Sequence, residues 1–582
     1  MADVANEHVP ADCLVVTFQP LGRRVTVSAG TTLLEAGRRA GLLLSAACGG
    51  VGICGRCRVS VVNGVMVPAS EAERAFLLKG SYPPGTRLAC EARVASSVTI
   101  DVPPGSFITG QRVQTDSEVA LQPSDCISAR QFIGVGKGGS SPLGLAVDIG
   151  CTKVAAFLVD LSTGAQLAAA GIPNPQITYG EDLISRLVFA DASADQATTL
   201  ARHVRECIAT LAANLCLLAG TTPDQIVDVC IVGNTAMMHL FLDLPVAQLL
   251  RSPFISSVDC DLDIAAADLG WQFAPATSVH VLPGIGGFVG ADHVAMILAR
   301  DIDTTDLVTI GLDIGTNTEI VLRHPRSGKF LTTSVPSGPV FEGAHIADGM
   351  RAASGAIDSF YSVAGELRYT TIDSARPIGL CGSGTVDLVA ELLHLGYIND
   401  RGHLAKCGPR IRRGPCGTEF VVVPAAETVH GRDIVLTQRD VSQVQLAKAA
   451  IFAGIETLLQ LAGVPHGDVQ QVVVAGAFGS YLNLRSAIAI GMLPRFACTE
   501  YLQVGNAAGA GAKLALVSRG DRARARTIAR NVTRIELKKH RSFDTAMARA
   551  TRFPTLSPTS SAAIAGQSGD QTSELHAHDR HH

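Results

Sequence analysis

Two stretches of this 582-residue chain carry the same plan. LGLAVDIGCTKVAAFLVD (143–160) and IGLDIGTNTEIVL (310–322) each read as an apolar strand, a tight D-x-G turn and a second strand. Asp148 aligns with Asp313, Gly150 with Gly315 and Thr152 with Asn317. A repeat at this distance predicts two similar lobes rather than a short-period array. A hairpin glycine lets backbone N–H groups come close to phosphate oxygens. Thr152, Thr316 and Thr318 add hydroxyl donors. An aspartate at a strand end can hold Mg²⁺ through water, the usual arrangement beside phosphates. Two such turns facing each other would clamp a nucleotide's phosphates in an interlobe cleft.

Further glycine turns follow expected strands. PIGLCGSGTVDLVAELLHLG (377–396) reads as strand, turn and helix, with Gly382, Ser383 and Gly384 at the helix entry. VVVAGAFGSYLN (472–483) reads as a buried strand with Gly476 and Gly479 beyond it. Such turns suit nucleotide contact at a helix N-terminus, or else close packing of backbones. In IVGNTAMMHLFL (231–242), Asn234 or Thr235 is expected as an ordinary N-cap. GVGKGGSSP imitates a P-loop and fails: Gly138, not Ser or Thr, follows Lys137, and Gln131 stands where the first glycine belongs. A flexible connector is the better reading.

The first hundred residues are of another kind. CLVVTFQP (13–20) and RRVTV (23–27) read as a strand pair, and in TTLLEAGRRAGL the spacing of Thr32 and Glu35 is that of a capping box. That helix would turn Leu33, Ala36, Gly37 and Ala40 inward. AACGGVGICGRC (46–57) follows, then the strand CRVSVVNG, then Cys90 in RLACEARV and the closing strand VTIDVP. This is the layout of a [2Fe–2S] ferredoxin, whose cluster needs four thiolates: here Cys48, Cys54, Cys57 and Cys90. Gly49, Gly50, Gly52 and Gly55 would let the loop fold round the cluster and aim N–H groups at its sulfurs. A zinc ribbon wants a second CxxC pair, and none stands near Cys90. Five residues separate Cys48 from Cys54, one more than in the plant-type pattern. That spacing resembles the adrenodoxin and putidaredoxin branch.

Composition narrows the classes. A hydrophobic content of 47% and a charged content of 17% allow a large core. A net charge of −4 gives no footprint for nucleic acid. The apolar stretch VLPGIGGFVGADHVAMILA is interrupted by Asp292 and His293, so no membrane span is expected. The N-terminus lacks a basic region before an apolar run, and the remaining cysteines are scattered, so a reduced, cytoplasmic protein is expected.

Taken in order, these motifs resemble the ASKHA superfamily of sugar and acetate kinases, Hsp70 and actin. DIGCTK resembles its first phosphate motif, DIGTNTE its second, and CGSG with AGAFG its adenosine-side turns. More narrowly, NPQITYGEDLISRL (174–187), GNTAMMH, PSGPVFEGAHIADGM (336–350) and AGAFGSYLN, fused to a ferredoxin domain, resemble the reductive activators of corrinoid proteins. The likeness covers about residues 12–555. It implies a multidomain α/β and α+β chain with a β-grasp ferredoxin domain (1–103), a first actin-like lobe with a middle domain (144–300) and a second lobe (301–555); composition adds a flexible linker (104–143) and a disordered Ser/Ala/Gly/Gln-rich tail (556–582). It also implies ATP-dependent one-electron reduction of Co(II) to Co(I) on a corrinoid-binding methyltransferase protein, fed by an upstream electron donor. A homodimer is compatible with it. Family members usually carry threonine where this chain has Cys151. A thiol is a poorer donor, so Thr152 and the backbone are expected to suffice.

Ferredoxin potentials of the plant type lie near about −400 mV, and the resemblance implies a cobalt couple that is harder to reduce. ATP must then favour a complex in which the cobalt accepts the electron. The expected roles are Asp148 and Asp313 on Mg²⁺-bound water and Glu319 as water activator, unless Glu319 is a polar residue on an exposed strand face. Glu342 is expected at the ribose, at the partner or on a turn. RGDRARARTIAR (519–530) reads as a solvated helix. The rival readings are an ATP-driven activator of another low-potential enzyme, a small-molecule kinase with a redox sensor, and a nucleotide-gated electron carrier without catalysis.

Overall fold

The computed structural model describes residues 13–555, leaving out 104–140 apart from Ser106 and Leu121, and positions 20–22, 41, 43, 47, 79–81, 83, 181, 415–416, 477 and 498. The expected tail and nearly all of the expected linker lie outside the described residues. β1 (Cys13–Gln19) and β2 (Arg23–Ser28) pair antiparallel, as two adjacent β-branched runs should. With β3 (Arg58–Asn63), β4 (Thr86–Leu88) and β5 (Val98–Asp101) they form one sheet of order β2-β1-β5-β3-β4, in which β5 runs parallel to β1. The helix Leu33–Arg39 starts where Thr32 Oγ1 accepts the Glu35 N–H at 3.2 Å. Leu34 joins Leu33, Ala36 and Gly37 in the core, whereas Ala40 is only half-buried.

The repeat becomes two sheets of matching topology. The first has β6 (Leu143–Ile149), β7 (Lys153–Asp160), β8 (Gln166–Pro173), β9 (Ile226–Gly233), β10 (Leu262–Ala265) and β11 (Ser278–Val281), in the order β10-β11-β9-β6-β7-β8. The second opens with β12 (Thr309–Ile314), β13 (Thr318–His324) and β14 (Lys329–Val335). Two small sheets are inserted: β15 (Ala356–Val363), β16 (Glu366–Thr371) and β17 (Gly379–Leu380), then β18 (Ile411–Gly414), β19 (Gly417–Val423) and β20 (Ile434–Thr437). β21 (Gln471–Ala475), β22 (Glu500–Gln503) and β23 (Thr533–Arg534) complete the order β22-β21-β12-β13-β14-β23. In each lobe the hairpin strands pair antiparallel while the first hairpin strand runs parallel to a later strand, β9 or β21.

The hairpin strands are apolar at nearly every position because both faces of the sheet are covered. Leu145, Val147 and Ile149 pack with Leu200, Val204 and Leu211 of the helix Ala194–Leu218. Ala146, Ala155, Phe157 and Val159 pack with the helices Ala291–Ala299 and Ala507–Val517. The second of those helices follows β22 in sequence yet lies on the first sheet. Its small residues permit this: a Cβ on Gly511 would come within 2.1 Å of the Ala295 carbonyl oxygen.

The basic run 519–530 does form a helix, Arg519–Asn531, but it is not a solvated one. Arg522 Nη2 donates to Asp228 at 2.8 Å, and both side chains are buried. Arg524 makes a two-pronged bond to Asp303 and Arg526 reaches Asp261 at 2.7 Å. The partners are so far away in sequence that local charge patterning gave no sign of them. The helix Gln438–Ala462 is long and apolar enough to cross a membrane, but its Val441, Val444, Ile451, Ile455 and Leu458 fill the core of the second lobe.

Arg522→Met is expected to lower stability by about 3–5 kcal/mol, because Asp228 would keep a buried charge without its cation. Arg526→Ala, at a half-exposed pair, should cost about 1 kcal/mol or less. Thermal unfolding checks both, and equal losses would refute the distinction.

Candidate functional site

The strand ends of both sheets open on one cavity of about 370 Å³. Asp148 stands near the end of β6 and Asp313 near the end of β12. The turns that follow differ by one residue. Ile149 pairs with Val154, whereas Ile314 pairs with Thr318. Each turn is closed by its glycine: Gly150 N–H donates to the Lys153 carbonyl at 2.9 Å and Gly315 N–H to the Asn317 carbonyl at 3.0 Å. Those two N–H groups are engaged within the turns, which leaves phosphate contact to the residues after them.

The register also places Glu319. It lies directly across from Asp313 on β13, and it is buried, not on an exposed strand face. Ser334 donates to it at 2.9 Å. Opposite them, Asn506 caps the helix Ala507–Val517 and donates Nδ2–H to Asp148 at 3.0 Å. Asp292, in the first turn of the helix Ala291–Ala299, is a fourth acid on the cavity. Burial drives all four carboxyl groups upward: Asp313 to about 6, Asp148 to about 7 with help from Asp313, and Glu319 to about 8 with help from Asp313. Asp292 is raised well above its usual range, by burial first and then by Glu319, Asp313 and Asp148. Lys153 lines the same cavity, and burial pulls its ammonium down to about 8.

Of the residues expected at a nucleotide, Gly150, Thr152, Gly315, Thr316, Asn317, Gly382, Ser383 and Gly476 line this cavity. Three do not. Thr318 exchanges a hydrogen bond with Ser337 at 2.9 Å in the interior. Gly384 lets its helix approach β15, since a Cβ there would lie 2.2 Å from the Ile357 carbonyl oxygen, and Gly479 packs on Val474. Here the packing alternative holds. Gly476 is needed twice over: its φ is +91°, and a Cβ would sit 2.6 Å from Asp313 Oδ1. Asn234 is the N-cap expected, accepting the Met237 N–H at 3.0 Å, and its Nδ2 also donates to Cys151 Sγ at 3.0 Å. Burial pushes that thiol up to about 12, so Cys151 is no ready nucleophile.

Glu342 departs furthest from expectation. Thr152 Oγ1 donates to its Oε2 at 2.6 Å, and Thr316 Oγ1 to its Oε1 at 2.5 Å. One carboxylate thus holds a hydroxyl from each of the two facing turns. Phe341 beside it stacks on Phe478 with ring centroids 4.8 Å apart. Asp292, Lys153, Asn506, Phe341 and Phe478 were not singled out from the sequence as site residues. Asp292 left a trace there as an acid interrupting an apolar run, while Lys153, Phe341 and Phe478 stand inside quoted motifs without having been picked out.

In the N-terminal domain the four cysteines come together in pairs. Cys57 Sγ lies 3.4 Å from Cys90 Sγ, and Cys48 is hydrogen-bonded with Cys54. Among the described residues no three ligand side chains converge on one point. Two thiolates for each of two irons is what a binuclear cluster needs, and a single zinc ion needs four on one centre. The hydrogen bond with Cys54, then backbone N–H groups of Ile53, Cys54 and Gly50, bring Cys48 down to about 5. Gly49, Gly50, Gly52 and Gly55 all have positive φ, as a loop wrapped round a cluster requires. Val51 and Ile53 at its rim are 62% and 73% exposed.

Comparison with known proteins agrees with this division. Residues 16–95 match the 2Fe-2S iron-sulfur cluster binding domain, 143–305 the RACo middle region, and 307–563 the C-terminal domain of RACo, the ASKHA domain. The chain is 34% identical over 410 residues to the corrinoid activation enzyme RamQ of Eubacterium limosum, covering 69% of this chain and 68% of that one. It is 24% identical to the [Co(II) methylated amine-specific corrinoid protein] reductase of Methanosarcina barkeri, over 62% and 68% of the two chains. A solved structure of a reductive activator for a corrinoid iron–sulfur protein superposes with a TM-score of 0.66 at 30% identity, covering 93% of this chain and 98% of the other.

Carboxylates with raised pKa hold protons that the unfolded chain, titrating near about 4, has released. Their contribution to stability is complete below that pH and is lost as pH rises through about 6 (Asp313), 7 (Asp148) and 8 (Glu319). Protein freed of divalent ions should therefore lose thermal stability between about pH 5 and pH 8.5. Asp148→Asn combined with Glu319→Gln should flatten that fall. An unchanged slope in the double variant would refute the assignment.

Proposed function

The chain belongs to the reductive activators of corrinoid proteins, and on that premise we propose that it uses ATP to drive single electrons from its [2Fe–2S] cluster onto the Co(II) cofactor of a corrinoid-binding methyltransferase protein. The reduction yields Co(I) and leaves the cluster oxidised by one electron, to be refilled by an upstream donor. Cys48 and Cys54 would hold one iron, and Cys57 and Cys90 the other. The cluster supplies one-electron transfer at low potential, near about −400 mV for ferredoxins of the plant type.

The observation that carries the ATP reading is the pair of D-x-G turns facing each other across a cavity lined by acids and closed by glycine turns. Four carboxyl groups whose pKa values burial raises fit a divalent cation, whose charge would restore their ionised form. No three of them form a closed cage, which suits Mg²⁺ held through water by Asp148 and Asp313. Thr152, Thr316 and Asn317 would meet the phosphates, with Gly150 and Gly315 shaping the turns and Lys153 supplying positive charge. Gly382, Ser383 and Gly476 border the nucleoside side, and the Phe341–Phe478 stack offers a flat apolar wall. With a cation beside the acids restoring its ionised form, Glu319 would take a proton from water at the phosphates. A cytoplasmic setting suits thiols that must stay reduced to hold the cluster.

Two measurements test this. Corrinoid reduction followed by visible absorbance, with reductant and partner present, should require ATP, and Asp313→Ala should fall to the rate seen without ATP. Equal Co(I) formation in both cases would end the ATP-driven reading. Separately, Cys54→Ala should abolish the red-brown chromophore, and an intact cluster spectrum would overturn the ligand set.

A further inference from the structure

The cluster domain is clasped to both lobes at once. From the helix Leu33–Arg39, Arg38 donates to the Thr178 carbonyl and lies over the Tyr179 ring, 4.1 Å from its centroid, on the first lobe. From the cluster loop itself, Arg56 donates to the carbonyls of Gly349 and Gly343 at 3.0 Å and of Ile346 at 3.3 Å, on the second. The turn that receives Arg56 is fixed to its own lobe. Ala347 N–H donates to Asp440 at 3.0 Å, Asp348 accepts the Val435 N–H at 2.8 Å, and Met350 N–H donates to the Leu380 carbonyl at 2.8 Å. It is also tightly wound, since a Cβ on Gly343 would lie 2.1 Å from the Met350 carbonyl oxygen. Glu342 immediately precedes it, and Glu342 joins the two lobes through Thr152 and Thr316.

From this juxtaposition we propose that Glu342 is a phosphate stand-in, and that nucleotide binding and the clasped position of the cluster domain exclude each other. The inference rests on the nucleotide reading above. Phosphates claim the same two hydroxyls that Glu342 holds, and a carboxylate beside a phosphate is repelled. Expelling Glu342 breaks the tie between the turns and resets the spacing of the lobes. A domain with one arginine on each lobe cannot keep both clasps through that change. Nucleotide therefore frees the cluster loop, with its exposed Val51 and Ile53, to meet the corrinoid. Arg38, Arg56 and Glu342 are positioning residues here; none touches the reacting cobalt.

Coupling of this kind is reciprocal. Loosening the clasp must tighten nucleotide binding. The test uses the full chain with its cluster assembled, checked by visible absorbance. Affinity for a non-hydrolysable ATP analogue with Mg²⁺ is measured by calorimetry in the native protein, Glu342→Ala and Arg56→Ala, with Arg56→Lys as a milder variant that keeps the charge and loses the fork. Each substitution should tighten binding, by about fivefold or more for the two alanine variants. In the native protein, saturating analogue should speed hydrogen exchange across 48–57; in Arg56→Ala exchange there should start fast and change little. Equal or weaker affinity in Glu342→Ala, or exchange at 48–57 that ignores the analogue, would overturn the antagonism while leaving nucleotide binding intact. Failure of the native protein and every variant to bind the analogue would overturn the nucleotide reading itself, and this inference with it.

Discussion

Four carboxyl groups share one cleft whose walls are protein on nearly every side. Burial disfavours charge on Asp148, Asp292, Asp313 and Glu319 alike, and Asp313 raises the other three further. Most of the fold serves to bring them together. Asp148 and Asp313 arrive on two sheets of the same topology, Glu319 follows from the register of β13, and Asp292 is delivered by a helix packed between the lobes. The cleft holds protons or a cation. The carboxylates therefore set both the pH response of the empty protein and its appetite for a charged ligand.

Glu342 solves the opposite problem. The two turns present hydroxyls suited to an anion, and in this structure they are satisfied by a side chain of the protein itself. Buried hydroxyl donors left without acceptors would cost free energy, so a resident carboxylate keeps the cleft stable without phosphate. The same residue sits next to the turn that Arg56 grips. Charge balance in the cleft and the position of the cluster domain are thus joined by a short, continuous piece of backbone, with no need for a long chain of side-chain contacts.

Much of this was legible in the sequence where local pattern and local structure coincide. The matched hairpins, the succession of β1, β2, β3 and β5 along the cluster domain and the spacing of its four cysteines follow from periodicity and glycine placement, which act over a few residues; β4 and the order of strands within the sheet do not. Glu319 was ambiguous because alternation along a strand does not say which face is solvent; pairing with Asp313 decides it. Thr318, Gly384 and Gly479 stand away from the cavity for a related reason. In a turn, neighbouring residues point in different directions, so a motif names more residues than reach the ligand. Glu342, Arg56, Arg522, Arg524 and Arg526 find partners more than a hundred residues away, beside Glu342's bond to Thr316 and Arg522's to the Ala515 carbonyl. No local signal encodes such contacts. The basic helix reads as solvated until Asp228, Asp261 and Asp303 are set beside it.

An uphill electron transfer places a condition on any such arrangement. ATP has no route to the cluster's potential through contact, because the cleft and the cysteines lie in different domains and share no side chain. What nucleotide can change is which complex is populated, and it does so only as far as it binds one state better than the other. On the reading proposed above, Arg38 and Arg56 tie the cluster domain to the lobes, and a difference in nucleotide affinity between the two positions is what releases it.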